Sequence, residues 1–180
     1  MTDLILLAAL LDGPKHGWAL KKLAGFLLGS AEMHNNLVYP LMKKFVTQGW
    51  VRRRSEPGER GQTRAVYSLT PGGKQELLRR LDQFGEKEAV SGAEFRVRVG
   101  LFALLDHAAR SKIAATRDQW LKAREEHFDG IRNGLRTMNA TAWGRRVVEF
   151  LLAEVRLERR WIKSLAKKSG VKGRRRRDRR

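Results

Sequence analysis

At 180 residues the chain has the length of a single domain, or of one small domain with a helical appendage, and can bury a core of ordinary size. The absence of cysteine excludes a disulfide framework, a thiolate metal site and a cysteine nucleophile, and fits a reducing compartment. Lys and Arg number 38 against 19 Asp and Glu, a formal charge of +19, while 42% of residues are hydrophobic, too many for a disordered chain; this is the composition of a folded protein with an anionic partner. Residues 163–180 alone hold 10 basic side chains against one acid, nearly half of the excess. No apolar run approaches the roughly eighteen residues that span a bilayer. The stretch 4–11 is short for a secretory signal and follows an aspartate, so a cytoplasmic protein with no membrane partner is expected.

Leu4, Leu7, Ala8 and Leu11 stand at helical spacing and predict a first helix, stopped by Asp12-Gly13-Pro14. Pro14 suits the first turn of a second helix, residues 14–28, with Leu20, Leu23, Ala24 and Leu27 on one face. Asn35 or Asn36 can cap a third, which puts Leu37, Leu41 and Phe45 inward and leaves Asn36, Tyr39, Lys43 and Thr47 toward the other side. Pro40 is tolerable near the end of the first turn, and Gly49 closes the helix. Two β-prone runs, 50–54 and 64–69, flank a turn-rich segment and predict a hairpin with a basic tip. Thr70 and Pro71 then open a fourth helix carrying Leu77, Leu78, Leu81 and Phe84.

Beyond Gly85 the pattern is helical. A segment 86–105 packs Phe95, Val99, Phe102 and Leu105; a second, 111–138, has Leu121, Phe128 and Leu135 seven apart, with Ile131 and Met138 interleaved; a third, 141–168, shows Val147, Leu151, Val155, Ile162 and Leu165. Heptad-like stripes of this kind point to a helix pair or bundle, within or between subunits. Residues 169–180, ending in an arginine run, have nothing to bury and are expected to be disordered without a partner.

Three helices and a basic hairpin within 70 residues form the order of a winged helix-turn-helix, whose third helix enters the major groove. The landmarks sharpen this by residue. Residues 6–18, Leu-Leu-Ala-Ala-Leu-Leu-Asp-Gly-Pro-Lys-His-Gly-Trp, resemble the opening of PadR-family transcriptional regulators; Leu37-Val38-Tyr39-Pro40-Leu41 is similar to that family's recognition-helix motif, Gly49-Trp50-Val51 to its helix exit, and residues 67–73 to its wing strand and following helix. Trp18 stands where the family commonly has tyrosine, and the arginine tail lies outside the family pattern. The resemblance implies a mainly α fold: a winged helix-turn-helix over 1–84, a helical dimerisation domain over 85–168, and the basic tail over 169–180. It further implies a transcriptional regulator, more often a repressor, that binds a pseudo-palindromic operator as a homodimer and is nucleoid-associated when bound to DNA.

Within that frame Asn35, Asn36, Tyr39, Lys43, Lys44, Arg52, Arg54, Arg60, Gln62 and Arg64 are the expected DNA-contacting set. Asn36 either reads adenine through its amide or caps the helix, and Tyr39 either contacts DNA or packs under the wing. Lys43 and Lys44 suit phosphates. Strand alternation sets Arg53 opposite Arg52 and Arg54, while Arg60, Gln62 and Arg64 surround the hairpin tip, where an arginine can enter a narrow minor groove. Trp120, Trp143 and Trp161 either line a cavity for a small apolar or aromatic effector in the dimer or serve packing. The four histidines have no metal-binding spacing. No phosphate-binding loop, dinucleotide fingerprint, zinc-protease motif or nucleophile elbow occurs, so neither a cofactor nor an enzymatic activity is expected. A packaging or RNA-binding protein without sequence preference, and a winged-helix adaptor for protein contacts, are the competing readings.

Overall fold

The computed structural model describes residues 1–27, 34–57, 63–137 and 142–168. Helix α1, Thr2–Ala8, buries Leu4 to Ala8 almost completely, as a helix apolar on every side must. It ends in tight i→i−3 turns, Leu11 N–H to Ala8 O at 3.0 Å and Gly13 N–H to Leu10 O at 3.3 Å. Gly13 then adopts φ 111°, open to glycine and rarely to other residues, and turns the chain into a strand. That strand, β1 at Lys15–His16, departs from the expected direct helix-to-helix connection: Lys15 pairs with Tyr67 and His16 with Val66, so α2 begins at Gly17 and not at Pro14.

Helix α2, Gly17–Leu27, buries Leu20 and Ala24. Helix α3, Asn35–Thr47, has His34 as its N-cap residue, which makes Asn35 and Asn36 its first two residues and removes the capping role expected of either. Pro40 is its sixth residue, deeper than expected; it has no N–H to give the Asn36 carbonyl. The buried stripe is Val38, Met42 and Phe45, each 0% exposed, with Leu37 turned out instead of in. Choosing 38, 42 and 45 over 37, 41 and 45 keeps Met42 in the core, and both registers satisfy helical periodicity. The exit from α3 is a Schellman motif. Trp50 N–H bonds Phe45 O at 2.9 Å, Gly49 N–H bonds Val46 O at 3.0 Å, Gly49 takes φ 72°, and the rings of Phe45 and Trp50 meet at 5.8 Å.

Strands β2, Val51–Pro57, and β3, Thr63–Leu69, form the expected hairpin, longer than predicted, and β1 extends it to a three-stranded antiparallel sheet in the order β1-β3-β2. Thr70 caps helix α4, Pro71–Asp82: its hydroxyl accepts the Gly73 N–H at 3.0 Å and donates to Gly49 O at 2.7 Å, which ties the start of α4 to the end of α3. Leu77 and Leu81 are fully buried, and Phe84 lies just past the helix end.

The single helix expected over 86–105 is broken into α5, Glu86–Ala89, α6, Gly92–Gly100, and a short 3-10 turn, Phe102–Leu104. Ser91 breaks it: its hydroxyl accepts the Glu94 N–H at 3.2 Å and caps α6, as serine does more readily than it continues a helix. These elements pack on the winged domain. The rings of Phe84 and Phe95 lie 6.0 Å apart, and Arg98, 3% exposed, stacks 4.9 Å from Phe84 while donating to Gln83 O at 2.9 Å and to Glu94 at 2.8 Å. The first compact unit runs from Met1 to Ala109.

The second unit, residues 110–180, contains most of α7, His107–Thr137, and all of α8, Ala142–Lys168. Ion pairs join the two helices: Arg117 to Glu158, Asp118 and Glu125 to Arg159, and Glu125 and Asp129 to Arg156. The apolar seam between these pairs is Ile113, Leu121 and Phe128 with Val148, Leu152, Val155 and Ile162. Leu135, Leu151 and Leu165 are half-buried; Ile131 and Val147, expected to pack, are exposed, and Met138 lies outside the described residues. The basic segment 169–180 also lies outside them.

Candidate nucleic-acid interface

The Val38, Met42 and Phe45 stripe fixes the rotation of α3 about its axis, so Asn36, Tyr39, Lys43 and Thr47 face solvent together. None of residues 35–47 is acidic. Tyr39 is 44% exposed and rests one edge on α2: its Cε1 lies 3.1 Å, and its hydroxyl 3.3 Å, from where a Cβ would stand on Gly17. Thr47 donates to the Lys43 carbonyl at 3.1 Å, which leaves the Lys43 and Lys44 ammonium groups as the exposed charges of the last turns. Asn35 opens the helix, and its side chain is outside the described residues.

Cross-strand register places the wing residues. Arg52 stands opposite Ser68, Arg54 opposite Val66 and Glu56 opposite Arg64, so Arg52, Arg54 and Arg64 share one face of the sheet with His16. Arg53, opposite Tyr67, points to the other face, as alternation required, and all three arginines of β2 are exposed. Arg64 has a carboxylate as its cross-strand neighbour, which partly offsets its charge. Arg60 and Gln62 lie outside the described residues.

A charged cluster on α4 ties the scaffold together. Glu76 accepts from Arg79 and Arg80, and the Arg79 hydrogen bond, followed by that of Arg80, lowers its carboxyl to about 2 against the burial that opposes it. Arg80 also bonds Asp3 of α1 and lies 4.8 Å over the Trp50 ring, so α1, α4 and the start of the wing are clamped by one guanidinium.

The three tryptophans expected near an effector do not converge within one chain. Trp120, on α7, is flanked by the guanidinium groups of Arg117 at 4.6 Å and Arg124 at 5.3 Å. Trp143 and Trp161, 73% and 36% exposed, lie at opposite ends of α8, about 27 Å apart along the axis at 1.5 Å per residue. Both belong to a line that the sequence reading missed: Trp143, Val147, Phe150, Glu154, Leu157 and Trp161, all exposed, recur at alternating spacings of four and three. The missed signal was this second heptad stripe, one or two positions before the buried one. Among the described residues no group of three or more His, Asp and Glu is placed to hold a metal, and no helix is long and apolar enough to cross a membrane.

Residues 6–79, which span α1 through the wing to most of α4, match the family model described as the transcriptional regulator PadR-like family. The chain belongs to the PadR-like family of DNA-binding transcriptional regulators. Comparison with curated proteins returns no match. Among solved structures, Bacillus subtilis PadR in complex with operator DNA is 19% identical and covers 92% of this chain and 96% of its own, with a TM-score of 0.45. The same protein has been solved with p-coumaric acid. The Thermoplasma acidophilum protein TA0346 is 32% identical over 44% of this chain and 75% of its own, with a TM-score of 0.41. A PadR family regulator from Clostridium difficile R20291 is 19% identical over 44% of this chain and 81% of its own, at 0.39. These scores carry no residue roles across; the PadR-like assignment rests on the N-terminal match.

Proposed function

We propose that this PadR-like protein is a sequence-specific repressor that grips a pseudo-palindromic operator as a homodimer, with α3 in the major groove and the β2-β3 wing on the flanking backbone. One observation carries the reading: the buried Val38, Met42 and Phe45 turn Asn36, Tyr39 and Lys43 outward together, on a helix free of acidic residues. Asn36, relieved of capping by His34, has its amide available for an adenine edge, and Tyr39 offers a hydroxyl beside it. Lys43, Lys44, Arg52 and Arg54 supply phosphate contacts that fix register. Residues 163–180 add sequence-independent attraction through counterion release. In this division residues 1–84 bind DNA and 85–168 hold the dimer, although α5 and α6 pack with the first unit.

The partner in the dimer is a second copy, joined through the exposed stripe of α8. A line of this length, apolar at every position but Glu154, demands a cover. Its spacing is symmetric: 143 and 161, 147 and 157, and 150 and 154 are equidistant from position 152, so an antiparallel copy sets each residue against its counterpart. Trp143 then meets the partner subunit's Trp161 at either end, and a flat apolar or aromatic effector has its place in that paired cleft. Occupancy of the operator blocks transcription, and an effector that alters the angle between subunits changes the spacing of the two α3 helices and releases DNA.

Mixing the protein with random duplex and with a selected operator at one stated salt concentration tests the reading. Preference for the operator by a factor of about a thousand or more supports it. Equal affinity for both duplexes makes the protein a packaging factor, and no affinity for either makes it an adaptor.

A further inference from the structure

Leu37, the third residue of α3, is 45% exposed, although its neighbour Val38 is fully buried. At about 100° per residue, Leu37 and Tyr39 stand on opposite flanks of the outward face, with Asn36, Pro40 and Lys43 between them. The Tyr39 flank meets Gly17 of α2. The Leu37 flank carries Leu41, half-buried one turn on, and beside it Pro40 is exposed. Residues 35–42 hold no charged side chain, and both lysines of α3 fall in its second half. The outward surface of this helix is therefore amide and hydrocarbon toward its N-terminus and cationic toward its C-terminus. A helix in the major groove presents its N-terminal residues to base edges, and the commonest reader of guanine, an arginine or lysine, is missing from that end. What a leucine can recognise there is the one apolar group on a base edge, the 5-methyl of thymine.

We propose that Leu37 is a specificity-determining residue that packs on a thymine methyl, at or next to the A·T pair whose adenine Asn36 reads. This rests on the reading of α3 as the groove-entering helix. Asn36 and Leu37 are consecutive, so their two contacts fall on the same or adjoining base pairs of one half-site. Hydrogen bonds from the amide choose the adenine, and the leucine rejects cytosine, which lacks the methyl. The side chain of Leu37 has neither charge nor hydrogen-bonding group, so its contribution is to sequence preference and releases no counterion.

The test takes the selected operator and replaces its thymines, one position at a time in both half-sites, by deoxyuridine, which pairs alike and lacks only the 5-methyl group. Affinity for each duplex is measured with the parent chain and with Leu37→Ala. Thermal melting checks the variant, whose substitution lies at an exposed helical position that alanine suits. In the parent chain one thymine position is expected to matter, its replacement weakening binding by roughly five- to twentyfold, as the loss of one buried methyl per subunit implies. In Leu37→Ala the same replacement should change affinity by less than about twofold, the mark of a direct coupling between side chain and methyl. Leu37→Ala should also weaken the unmodified operator without making its salt dependence shallower, since no phosphate contact is lost. A half-site without thymine, or thymines all replaceable without loss while Asn36→Ala still alters the preferred sequence, overturns the proposal and leaves the α3 reading standing. A methyl required equally by the parent chain and by Leu37→Ala belongs to another side chain, and that result too overturns it. If the parent chain selects no operator, both readings fall together.

Discussion

The edge of the Tyr39 ring rests on Gly17, with its Cε1 3.1 Å from where a Cβ would stand. This contact sets the reach of Tyr39 from α3, because any side chain at position 17 must push the ring outward by a few tenths of an ångström. Gly17→Ala is expected to change stability by less than about 1 kcal/mol, since the loss of unfolded-chain freedom offsets the displacement. It should nevertheless alter the preferred sequence, as Asn36→Ala and Tyr39→Ala should. Chemical denaturation alongside a duplex selection checks both halves.

The joint between α3, the wing and α4 is predicted to be the most sensitive point of the first unit. A methyl on Gly73 would stand 2.0 Å from the Trp50 carbonyl oxygen and 2.9 Å from Leu69 Cδ1, and the oxygen belongs to backbone that cannot rotate away. Gly73→Ala should cost more than about 2 kcal/mol. Thr70→Ala, which removes the cap on Gly73 and the bond to Gly49, should cost about 1–2 kcal/mol. Urea denaturation orders the two, and Gly73→Ala is expected to be the worse.

The helical pair α7 and α8 should be acid-sensitive. Hydrogen bonds from Arg156 and then Arg159 hold the Glu125 carboxyl below its ordinary value of 4.5, and those bonds outweigh the burial that opposes them. A carboxyl lowered in the folded state contributes stability that is present above its unfolded value and is lost as pH falls through the folded one. Unfolding followed from pH 7 downward should therefore show the contribution of Glu125 intact to about pH 4.5 and lost below it. Glu125→Gln should be less stable at pH 7 and should lose less on acidification. High salt should narrow the gap between the two proteins, because the pairs are partly exposed.

On the outer stripe of α8, Phe150 and Glu154 are set against each other across the proposed two-fold. Phe150→Glu should give a monomer at micromolar concentration by light scattering, and this monomer should bind the operator poorly while its α7–α8 seam stays folded. Glu154→Leu removes the one charged member of the stripe and should tighten the dimer.

Much of this was legible in the chain. The helix order, the hairpin, Thr70 with Pro71, and the outward Asn36, Tyr39 and Lys43 followed from periodicity, capping and turn chemistry, and the family followed from residues 6–18 and 37–41. What escaped had physical reasons. The two-residue strand β1 is too short to carry a pattern, and it exists because β3 offers a free edge to Lys15 and His16. In α3 the runs 37, 41, 45 and 38, 42, 45 are both apolar, so only packing could choose between them. Ser91 looks like an ordinary surface residue until it caps α6. In α8 two apolar stripes coexist, and the sequence reading mixed members of both, Val147 with Val155 and Ile162. The wing tip with Arg60 and Gln62 lies outside the described residues.

On the proposed function, α3 reads sequence and does so twice in one dimer. Selection of bound duplexes from a random library tests it most directly, with the parent chain and Asn36→Ala run side by side. An enriched motif is expected, made of two inverted half-sites whose centres lie about one helical turn, roughly 10 base pairs, or a multiple of it apart. Loss or change of one base position in both half-sites is expected for the variant. A library that emerges without any enriched motif, or a motif identical in the parent and in the Asn36 and Tyr39 variants, would contradict that function.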